Sequence, residues 1–444
     1  MPYISNTDKD RQQIFAKIGI EEFEELIQAI PEKFRLKGEL NMDPALSELE
    51  ITHKIQSQTC RNICSATANS FLGAGVYDHF IPAAVDSIIQ RPEFFTAYTP
   101  YQAEVSQGTL QFVYEYQTMI CELTGMEIAN ASMYDAASAI AEAVLMAVRK
   151  NRLSKAILPA SLHPSFVEVI KAYTEGIGIE LLTCPAKDGK LDLEALEAMM
   201  DESIGSVVMQ NPNYYGNIEE AAEISEIVHS QPKALFIASV DPISLALLEA
   251  PALYGADIVV GEGQALGNNM YMGGPLFGFF ATKLEMARQM PGRIVGGTLD
   301  AVGNRAYALT LQAREQHIRR EKATSNICSN QSLCTLAAAV YMSLIGREGF
   351  KEIALQSAQK AHYLAEEICK VPGYSLAYPN ASFFKEFVVN TPIPAQELID
   401  KLLPYGIYAG VKVGEHKLML AATEKKRKAA IDDFIKALKE VSHV

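Results

Sequence analysis

The sequence predicts an α/β protein, with a large unit built on a mostly parallel sheet and a smaller α/β unit after it. Between residues 156 and 281, short apolar runs alternate with amphipathic stretches at the spacing of strand and helix units. The runs lack the period-two pattern of half-exposed strands, so they fit strands covered on both faces. After residue 326, long helical patterns are followed by short strands, which indicates the second unit.

The elements of the large unit follow from these patterns. Its strands are predicted from six apolar runs, at 156–158, 179–182, 206–209, 234–238, 257–260 and 276–281. Its helices are predicted at 110–124, 136–150, 164–175, 192–200, 218–230 and 243–250. Gly125 is placed to end the first helix, because glycine adopts the left-handed C-cap conformation without steric cost.

The two ends of the chain differ from this middle part. In 21–30 apolar residues recur at helical spacing until Pro31, which indicates a helical arm that covers a neighbour or its own domain. The C-terminal unit is predicted from helices at 331–345, 350–369 and from 395, strands at 374–378, 387–389 and 417–422, and a last helix ending near 441. The predicted domains are therefore 1–65 (arm), 66–325 (large α/β domain) and 326–444 (small C-terminal α/β domain).

Charge and composition narrow the possible environments and partners. The chain has 444 residues and a formal net charge of −14, which argues against nucleic acid or an anionic membrane as the main partner. The polar start and the absence of a run of about 18 apolar residues argue against a signal peptide and a membrane span. Seven scattered cysteines fit a reducing compartment. A cytoplasmic location is the resulting prediction.

Several kinds of site are disfavoured by the motifs. Gly261, Gly263 and Gly267 follow a predicted strand, but their spacing departs from the dinucleotide fingerprint and no helix follows them. The eight histidines are dispersed, and neither a zinc-protease motif nor a nucleophile-elbow motif occurs. The sequence therefore predicts no metal site and no serine-hydrolase site.

Pyridoxal phosphate (PLP) is the cofactor that the layout favours, since such a site needs a lysine, an acid facing the ring nitrogen and an anion cup. Asp241 follows the strand 235–238, at the sheet edge where parallel strands place ligands. A second interpretation makes Asp241 the cap of the next helix, with Pro242 at its first position. Both interpretations can hold at once.

The other two parts of a PLP site are defective in the sequence. The anion cup is expected at the start of the helix 136–150, where Asp135 would place a carboxylate on the free N–H groups and repel a phosphate. No lysine occurs between Lys233 and Lys283, and Lys322 lies well past the sheet strands. We therefore interpret this region as an imitation of a cofactor site that side chains fill.

Six motifs, spread over essentially the whole chain, together resemble the glycine cleavage system P-protein family. Within that family the resemblance is to the amino-terminal, or alpha, subunit. The motifs are the residues 71–75 (FLGAG), 95–108 (FTAYTPYQAEVSQG), 133–136 (MYDA), 210–213 (QNPN), 274–275 (GP) and 323–328 (ATSNIC). The resemblance implies an aminotransferase-like fold, that of PLP-dependent fold type I. It also implies that the chain is one subunit of the aminomethyl-transferring glycine dehydrogenase and inactive alone.

The resemblance also implies how the work is divided. A separate beta subunit holds PLP and the catalytic lysine, and the two chains form a heterodimer or an α2β2 assembly. Glycine loses CO2 there, and its aminomethyl group passes to the lipoyl arm of the H-protein. This chain is the degenerate sibling, with no Schiff-base lysine of its own, and Gln264 falls where the lysine of the sibling would lie.

The resemblance points to two segments that serve the partner's site. The 95–107 loop is expected to contribute the side chains of Tyr98, Thr99, Tyr101 and Gln102, and Thr324 to reach the phosphate of the partner's PLP. Asp135, Asp241 and Gln264 then remain as the degenerate own site. Two alternatives stay open: a self-sufficient PLP enzyme with an unconventional lysine, and a non-catalytic scaffold or regulator of the same fold.

Overall fold

The computed structural model describes residues 5–38, 40–63, 68–271, 274–327 and 330–442. The chain divides into two compact units, residues 1–63 and 64–444. The predicted boundary between residues 65 and 66 and Cys328 of the 323–328 motif lie outside the described residues.

The first unit consists of short helices. They are Asp8–Ile18, Phe23–Leu26 and Glu48–Thr59, with a 3-10 turn at Glu32–Phe34. The helix predicted over 21–30 is reduced to the single turn Phe23–Leu26, whereas the helix Asp8–Ile18 was not predicted. None of the side chains in these four described elements is buried. The unit therefore has no apolar core in its helices.

A seven-stranded sheet forms the centre of the second unit. Its strands in chain order are β1 (Ile128–Ala129), β2 (Lys155–Pro159), β3 (Glu180–Cys184), β4 (Ile204–Asn211), β5 (Leu235–Val240), β6 (Ile258–Glu262) and β7 (Gly278–Thr282). The spatial order is β1-β7-β6-β5-β4-β2-β3. Strands β2 to β6 are parallel, and β7 runs antiparallel to both β6 and β1. The six predicted strands are confirmed as β2 to β7.

Both faces of this sheet are covered. Val207 and Val208 of β4 are fully buried in two different apolar clusters, one on each face. The same holds for Phe236 and Ile237 of β5. The helices around the sheet are Ala83–Ile89, Pro92–Phe95, Gln107–Thr124, Ala136–Asn151, Pro164–Thr174, Leu193–Met199 and Ala221–His229. Uniformly apolar strands therefore reflect burial on two sides, as the sequence indicated.

The helix predicted at 243–250 is wrong, because the structure has only a 3-10 turn at Ser244–Ala246. The cap predicted at Asp241 is present: its side chain accepts a hydrogen bond from the backbone N–H of Ile243 (2.9 Å), and its backbone oxygen accepts one from the Ser244 hydroxyl (2.7 Å). After this cap the chain closes by a bond from the Leu247 N–H to the Ser244 backbone oxygen (2.9 Å), which is the i to i+3 pattern of a 3-10 turn.

The long helix Ser332–Cys369 joins two cores, with non-helical backbone at Gly346 that matches the gap between the two predicted helices. Its first half, at Ala338, packs in a large-sheet cluster, and its second half, at Leu364, packs in the C-terminal core. The C-terminal core lies between this helix, the helices Ala395–Leu402 and Lys428–Val441, and a four-stranded sheet of Ser375–Leu376, Glu386–Asn390, Lys417–Ala421 and Val411–Gly414.

Two strand pairings were not predicted from the sequence. Ile294–Leu299 and Arg305–Thr310 form an antiparallel hairpin. Asn69–Ser70 pairs with Ile407–Tyr408, and the Phe71 ring packs on Phe434 at 4.6 Å between centroids. The residues after 68, which the sequence grouped with the large domain, thus begin in the C-terminal core. None of the described helices has the length and apolarity that a membrane span needs.

Candidate functional site

Three carboxylates lie along the carboxyl edge of the sheet. Asp241 follows β5, Glu262 ends β6, and Asp135 precedes the helix Ala136–Asn151. Strand β7 runs directly beside Asp135. A Cβ added to Gly278 would lie only 2.3 Å from the Asp135 backbone oxygen, so a glycine is needed for this close approach. Parallel sheets bind their ligands at this edge, so this is the candidate site.

The start of the helix Ala136–Asn151 is already capped by protein carboxylates. Asp135 accepts a hydrogen bond from the Ser138 N–H (2.7 Å), and its own N–H donates to the Ser138 hydroxyl (3.1 Å). Glu262, which the sequence did not single out, accepts from the Ala136 N–H at 3.2 Å. The cap predicted at Asp135 is present, and two of the N–H groups that would attract a phosphate, those of Ala136 and Ser138, already have carboxylate partners.

Glu262 closes the site further. One of its oxygens accepts hydrogen bonds from the N–H groups of Gln264 (3.1 Å) and Phe277 (3.2 Å). Burial raises the pKa of Glu262 to about 8, and the neighbouring Asp135 carboxylate adds to the rise. A dianionic phosphate placed here would meet two acidic groups.

Asp241 pairs with a lysine of the same chain. The Lys385 Nζ lies 2.6 Å from an Asp241 oxygen, and the lysine side chain is 2% exposed. Lys385 directly precedes the strand Glu386–Asn390 of the C-terminal sheet, 144 positions after Asp241 in sequence. The carboxylate that a PLP enzyme would direct at the ring nitrogen is therefore neutralised by an internal cation.

Lys385 also contacts the segment after Gly75. Its ammonium lies 2.9 Å from His79 Nε2 and 3.8 Å from the centroid of the Tyr77 ring. An ammonium only donates, so Nε2 accepts and the ring proton is on Nδ1, which faces Glu424 at 2.6 Å. Burial, and then the Lys385 charge, lower the pKa of His79, which agrees with a neutral ring.

A second carboxylate beside Lys385 fixes the same segment. Glu386 accepts hydrogen bonds from the Ala74 N–H (2.7 Å) and from the Tyr77 hydroxyl (2.8 Å). We call the buried set the Lys385 network; its members are Tyr77, His79, Asp241, Lys385, Glu386 and Glu424. The network joins the carboxyl edge of the sheet to the C-terminal domain.

Gln264 has a structural partner in this arrangement. Its amide oxygen accepts from the Tyr77 N–H (3.0 Å), and its amide nitrogen donates to the backbone oxygens of Tyr77 (3.2 Å) and Asn268 (2.7 Å). The side chain is buried. It therefore clamps the Tyr77 backbone, a task that the sequence did not indicate.

The residues at this site do not fit PLP bound in this chain. The phosphate position is occupied by Asp135 and Glu262, and the ring-nitrogen acid is paired with Lys385. Lys283, the first lysine after the glycine-rich turn, pairs with Asp257 at 2.5 Å, just before β6 and hence at the other end of that strand. The Lys385 ammonium occupies the position of the ring-nitrogen contact, and protein carboxylates occupy donors that a phosphate would need.

The predicted loop residues lie in a different environment. Tyr98 is 79% exposed, and the Tyr101 hydroxyl accepts from Arg293 Nη2 at 3.2 Å. The Tyr101 ring packs edge-on against His317 at 5.5 Å, while the Thr99 backbone oxygen accepts from the Tyr101 N–H (2.8 Å). Gln102 precedes the 3-10 turn Ala103–Val105. These contacts are separate from those of the Lys385 network.

Thr324 lies beside a group of basic side chains. Its backbone N–H donates to the Arg314 oxygen at 3.0 Å, and it lines a cleft together with Arg288, Arg314, Arg319 and Lys322. Lys322 is exposed there, consistent with its interpretation as part of a charged cluster. Neither Thr324 nor the loop joins the three carboxylates at the sheet edge.

Neither Lys385 nor His79, on which this site depends, was predicted from the sequence as a site residue. Their contacts join residues far apart in sequence, 144 positions for Lys385 and Asp241 and 306 for Lys385 and His79. One signal was present: Lys385 and Glu386 interrupt an otherwise apolar run from Phe383 to Val389. Charged residues are rarely fully buried unless they are paired, so such a pair in a strand pattern indicates an internal ion pair.

The titration of Glu386 gives a testable pH dependence. Burial raises its pKa from 4.5 to about 7, so its contribution to stability is complete below pH 4.5 and is lost as the pH rises through 7. We expect the wild type to lose about 3 kcal/mol of unfolding free energy relative to Glu386→Gln between pH ~4.5 and ~8.5. Urea unfolding of both proteins across this range measures it; parallel profiles would contradict the assignment.

Solved structures define the class of protein. The fold matches a sphingosine-1-phosphate lyase from Burkholderia pseudomallei with a TM-score of 0.68 at 14% identity, over 93% of both chains. The fold is the aminotransferase-like α/β fold, that of PLP-dependent fold type I, as the sequence predicted.

Closer relatives define the family. The model of the family "Glycine cleavage system P-protein" matches residues 1–438. A probable glycine dehydrogenase (decarboxylating) subunit 1 from Chlorobium luteolum is 50% identical over the full length of both chains. A crystal structure of an inhibitor-bound glycine decarboxylase (P-protein) of the glycine cleavage system has a TM-score of 0.92 at 41% identity, covering 99% of this chain and all of the other. The chain belongs to the glycine cleavage system P-protein family, and the resemblance read from its motifs is confirmed.

Proposed function

We propose that this chain is the alpha subunit of a two-subunit glycine decarboxylase and that a separate beta subunit holds the PLP. Membership of the P-protein family makes the chain part of the enzyme that decarboxylates glycine. The observation that supports placing PLP in the partner is the buried contact of Lys385 with Asp241, because this contact fills the corresponding site of this chain. PLP supplies the electron sink for loss of CO2 when it is bound, and here it would be bound by the partner.

The proposed contribution of this chain is to complete the partner's site. Tyr98, Thr99, Tyr101 and Gln102 would provide hydroxyl and amide groups there, and Thr324 would approach the phosphate of the partner's PLP. Exposure supports this role for the loop, since Tyr98 is 79% and Tyr101 49% exposed. Exposed aromatic side chains with a polar end are favourable at protein interfaces. Further proposed partners are glycine and the lipoyl arm of the H-protein, which accepts the aminomethyl group.

Separate and combined assays test the proposal. The purified chain, its beta subunit and their mixture are each given carboxyl-labelled glycine with H-protein, and CO2 exchange is measured. We expect exchange only in the mixture, with the PLP absorbance already present in the beta subunit alone. Exchange by the isolated chain would support a self-sufficient enzyme. Equal exchange by the beta subunit with and without this chain would support a scaffold, and either result would refute the proposal.

Substitution of the most exposed loop residue tests the contribution to the partner's site. We expect Tyr98→Ala to lower kcat/KM for glycine in the assembled enzyme about tenfold, which is the loss expected for one well-placed polar contact. The thermal stability of the isolated chain should not change, because the side chain is 79% exposed.

Tyr405→Ala is the matched control for this substitution, since Tyr405 is an exposed tyrosine (51%) of the C-terminal domain. It should leave both the activity and the thermal stability unchanged. If Tyr98→Ala kept full activity in the assembled enzyme, the loop would have no part in the partner's site.

A further inference from the structure

A basic cleft lies apart from the Lys385 network. Thr324 is the only residue in its lining to which the proposed function gives a role. Its volume is about 460 Å³, within the usual size range of small-molecule pockets. The residues that line it are four cations, one hydroxyl residue and two apolar residues: Arg288, Arg314, Arg319, Lys322, Thr324, Leu311 and Ala313. We call it the basic cleft.

The positive charge of the basic cleft has no counterion among its lining residues. None of those seven described residues is acidic. The adjacent Glu315 faces Arg293 at 3.5 Å and His317 at 3.8 Å, and its buried carboxylate also acts on the charge of Arg314, so it offsets one of the four cations. The chain as a whole carries a net charge of −14, so four cations around one cleft are a local reversal. The remaining three cations repel one another, and an anion bound between them would reduce that repulsion.

Among the described residues, Arg314 has side-chain donors without hydrogen-bond acceptors. Its Nη1 donates to the Met290 backbone oxygen, while its Nε and Nη2 are buried without a hydrogen-bond partner in the described part of the chain. A buried guanidinium with unpaired donors is costly, and both donors are closed off from solvent here. A small turn of the Arg314 side chain toward the cleft would let a phosphate accept two parallel hydrogen bonds from them. Arg319 is held in place by its own bond from Nε to the Ala313 oxygen (3.1 Å).

The backbone around the cleft is also unusual. Leu311, in the cleft wall, and Arg320, next to it, both have φ of +54°, which non-glycine residues rarely adopt. Residues stay in such conformations where the surrounding structure enforces them, frequently at ligand-holding sites.

We propose that the basic cleft binds a phosphate monoester. The guanidinium and ammonium groups would hold the phosphate dianion, and Leu311 and Ala313 would contact the organic part of the ligand. The phosphate could be presented by the cofactor of the beta subunit or by a free small molecule. The first source rests on the proposed function, whereas the second does not.

Binding to the isolated chain is the first arm of the test. Calorimetry with 4′-deoxypyridoxine 5′-phosphate, which has no aldehyde to react with lysine, should show binding, and unphosphorylated deoxypyridoxine should not bind. We expect about tenfold weaker binding in Arg314→Gln and in the double variant Arg288→Gln/Lys322→Gln. Arg288 and Lys322 are exposed, so the double variant should keep the wild-type unfolding midpoint. Arg427→Gln, an exposed position in the C-terminal domain, is the charge-matched control.

Retention of PLP by the assembled enzyme is the second arm and distinguishes the sources. If the cleft variants lose PLP from the beta subunit faster on dialysis, the cleft takes the partner's cofactor phosphate. If they bind the analogue more weakly as isolated chains but retain PLP normally in the assembly, the ligand is a free phosphate monoester. The proposal is overturned if neither arm depends on the cleft cations. Failure of the wild-type mixture to exchange CO2 would refute the proposed function and leave the first arm valid.

Discussion

Removing the Lys385 ammonium should destabilise the protein by about 3–5 kcal/mol, the usual cost of breaking a buried ion pair from one side. Lys385→Ala leaves the carboxylate of Asp241 without the cation that lies 2.6 Å away, and it removes the hydrogen-bond donor to His79. The lysine is 2% exposed, so water cannot readily replace it. Urea unfolding of the isolated chain measures the loss.

Two controls separate this effect from a general loss of charge. Lys425→Ala breaks a partly exposed pair with Asp78 (2.5 Å), and such a pair is worth at most about 1 kcal/mol. The double variant Lys385→Met/Asp241→Asn removes both charges and should recover most of the stability. If Lys385→Ala lowered the unfolding free energy no more than Lys425→Ala does, the Lys385 network would not stabilise the fold.

Gly216→Ala should cost about 3 kcal/mol or more, because a side chain at this position has neither space nor a favourable backbone conformation. Gly216 has φ of +83°, and a Cβ there would lie 1.9 Å from the backbone oxygen of Glu386. This close approach packs the turn after β4 against the start of the strand Glu386–Asn390. The same substitution should therefore disturb the Lys385 network, and the pH dependence attributed to Glu386 should weaken with it.

Gly176→Ala is the control for Gly216→Ala. A Cβ on Gly176 would have no described atom within 4 Å, and the residue has no positive φ, so alanine should change the unfolding free energy by less than about 1 kcal/mol. Thermal and urea unfolding of the two variants provide the comparison. Equal stability of both would mean that the C-terminal domain does not depend on this contact.

The sequence predicted the large fold because its signals are local. Two-sided burial leaves uniformly apolar strands, and Gly125 ends the helix Gln107–Thr124 in the left-handed conformation, as predicted. The cap at Asp135 was predictable for the same reason, since its partner Ser138 is three residues away. The error at 243–250 arose because a cap such as Asp241 marks where a helix starts but not how far it continues, and here it continues only as the 3-10 turn Ser244–Ala246.

The content of the site could not be predicted in the same way. Lys385 reaches Asp241 only because the C-terminal sheet packs against the carboxyl edge of the large sheet, and periodicity carries no information on that contact. The absent lysine showed that the site is defective, but it did not show what fills the space. Gln264, interpreted as a relic, clamps the Tyr77 backbone instead.

Reductive trapping of PLP tests most directly whether the chain's own lysine, Lys385, occupies its cofactor site. The isolated chain and the beta subunit are each incubated with PLP, reduced with borohydride and mapped by peptide mass spectrometry. We expect one fully modified lysine in the beta subunit and only scattered, partial modification of exposed lysines in this chain. One fully modified lysine in this chain, above all Lys385, would contradict the account.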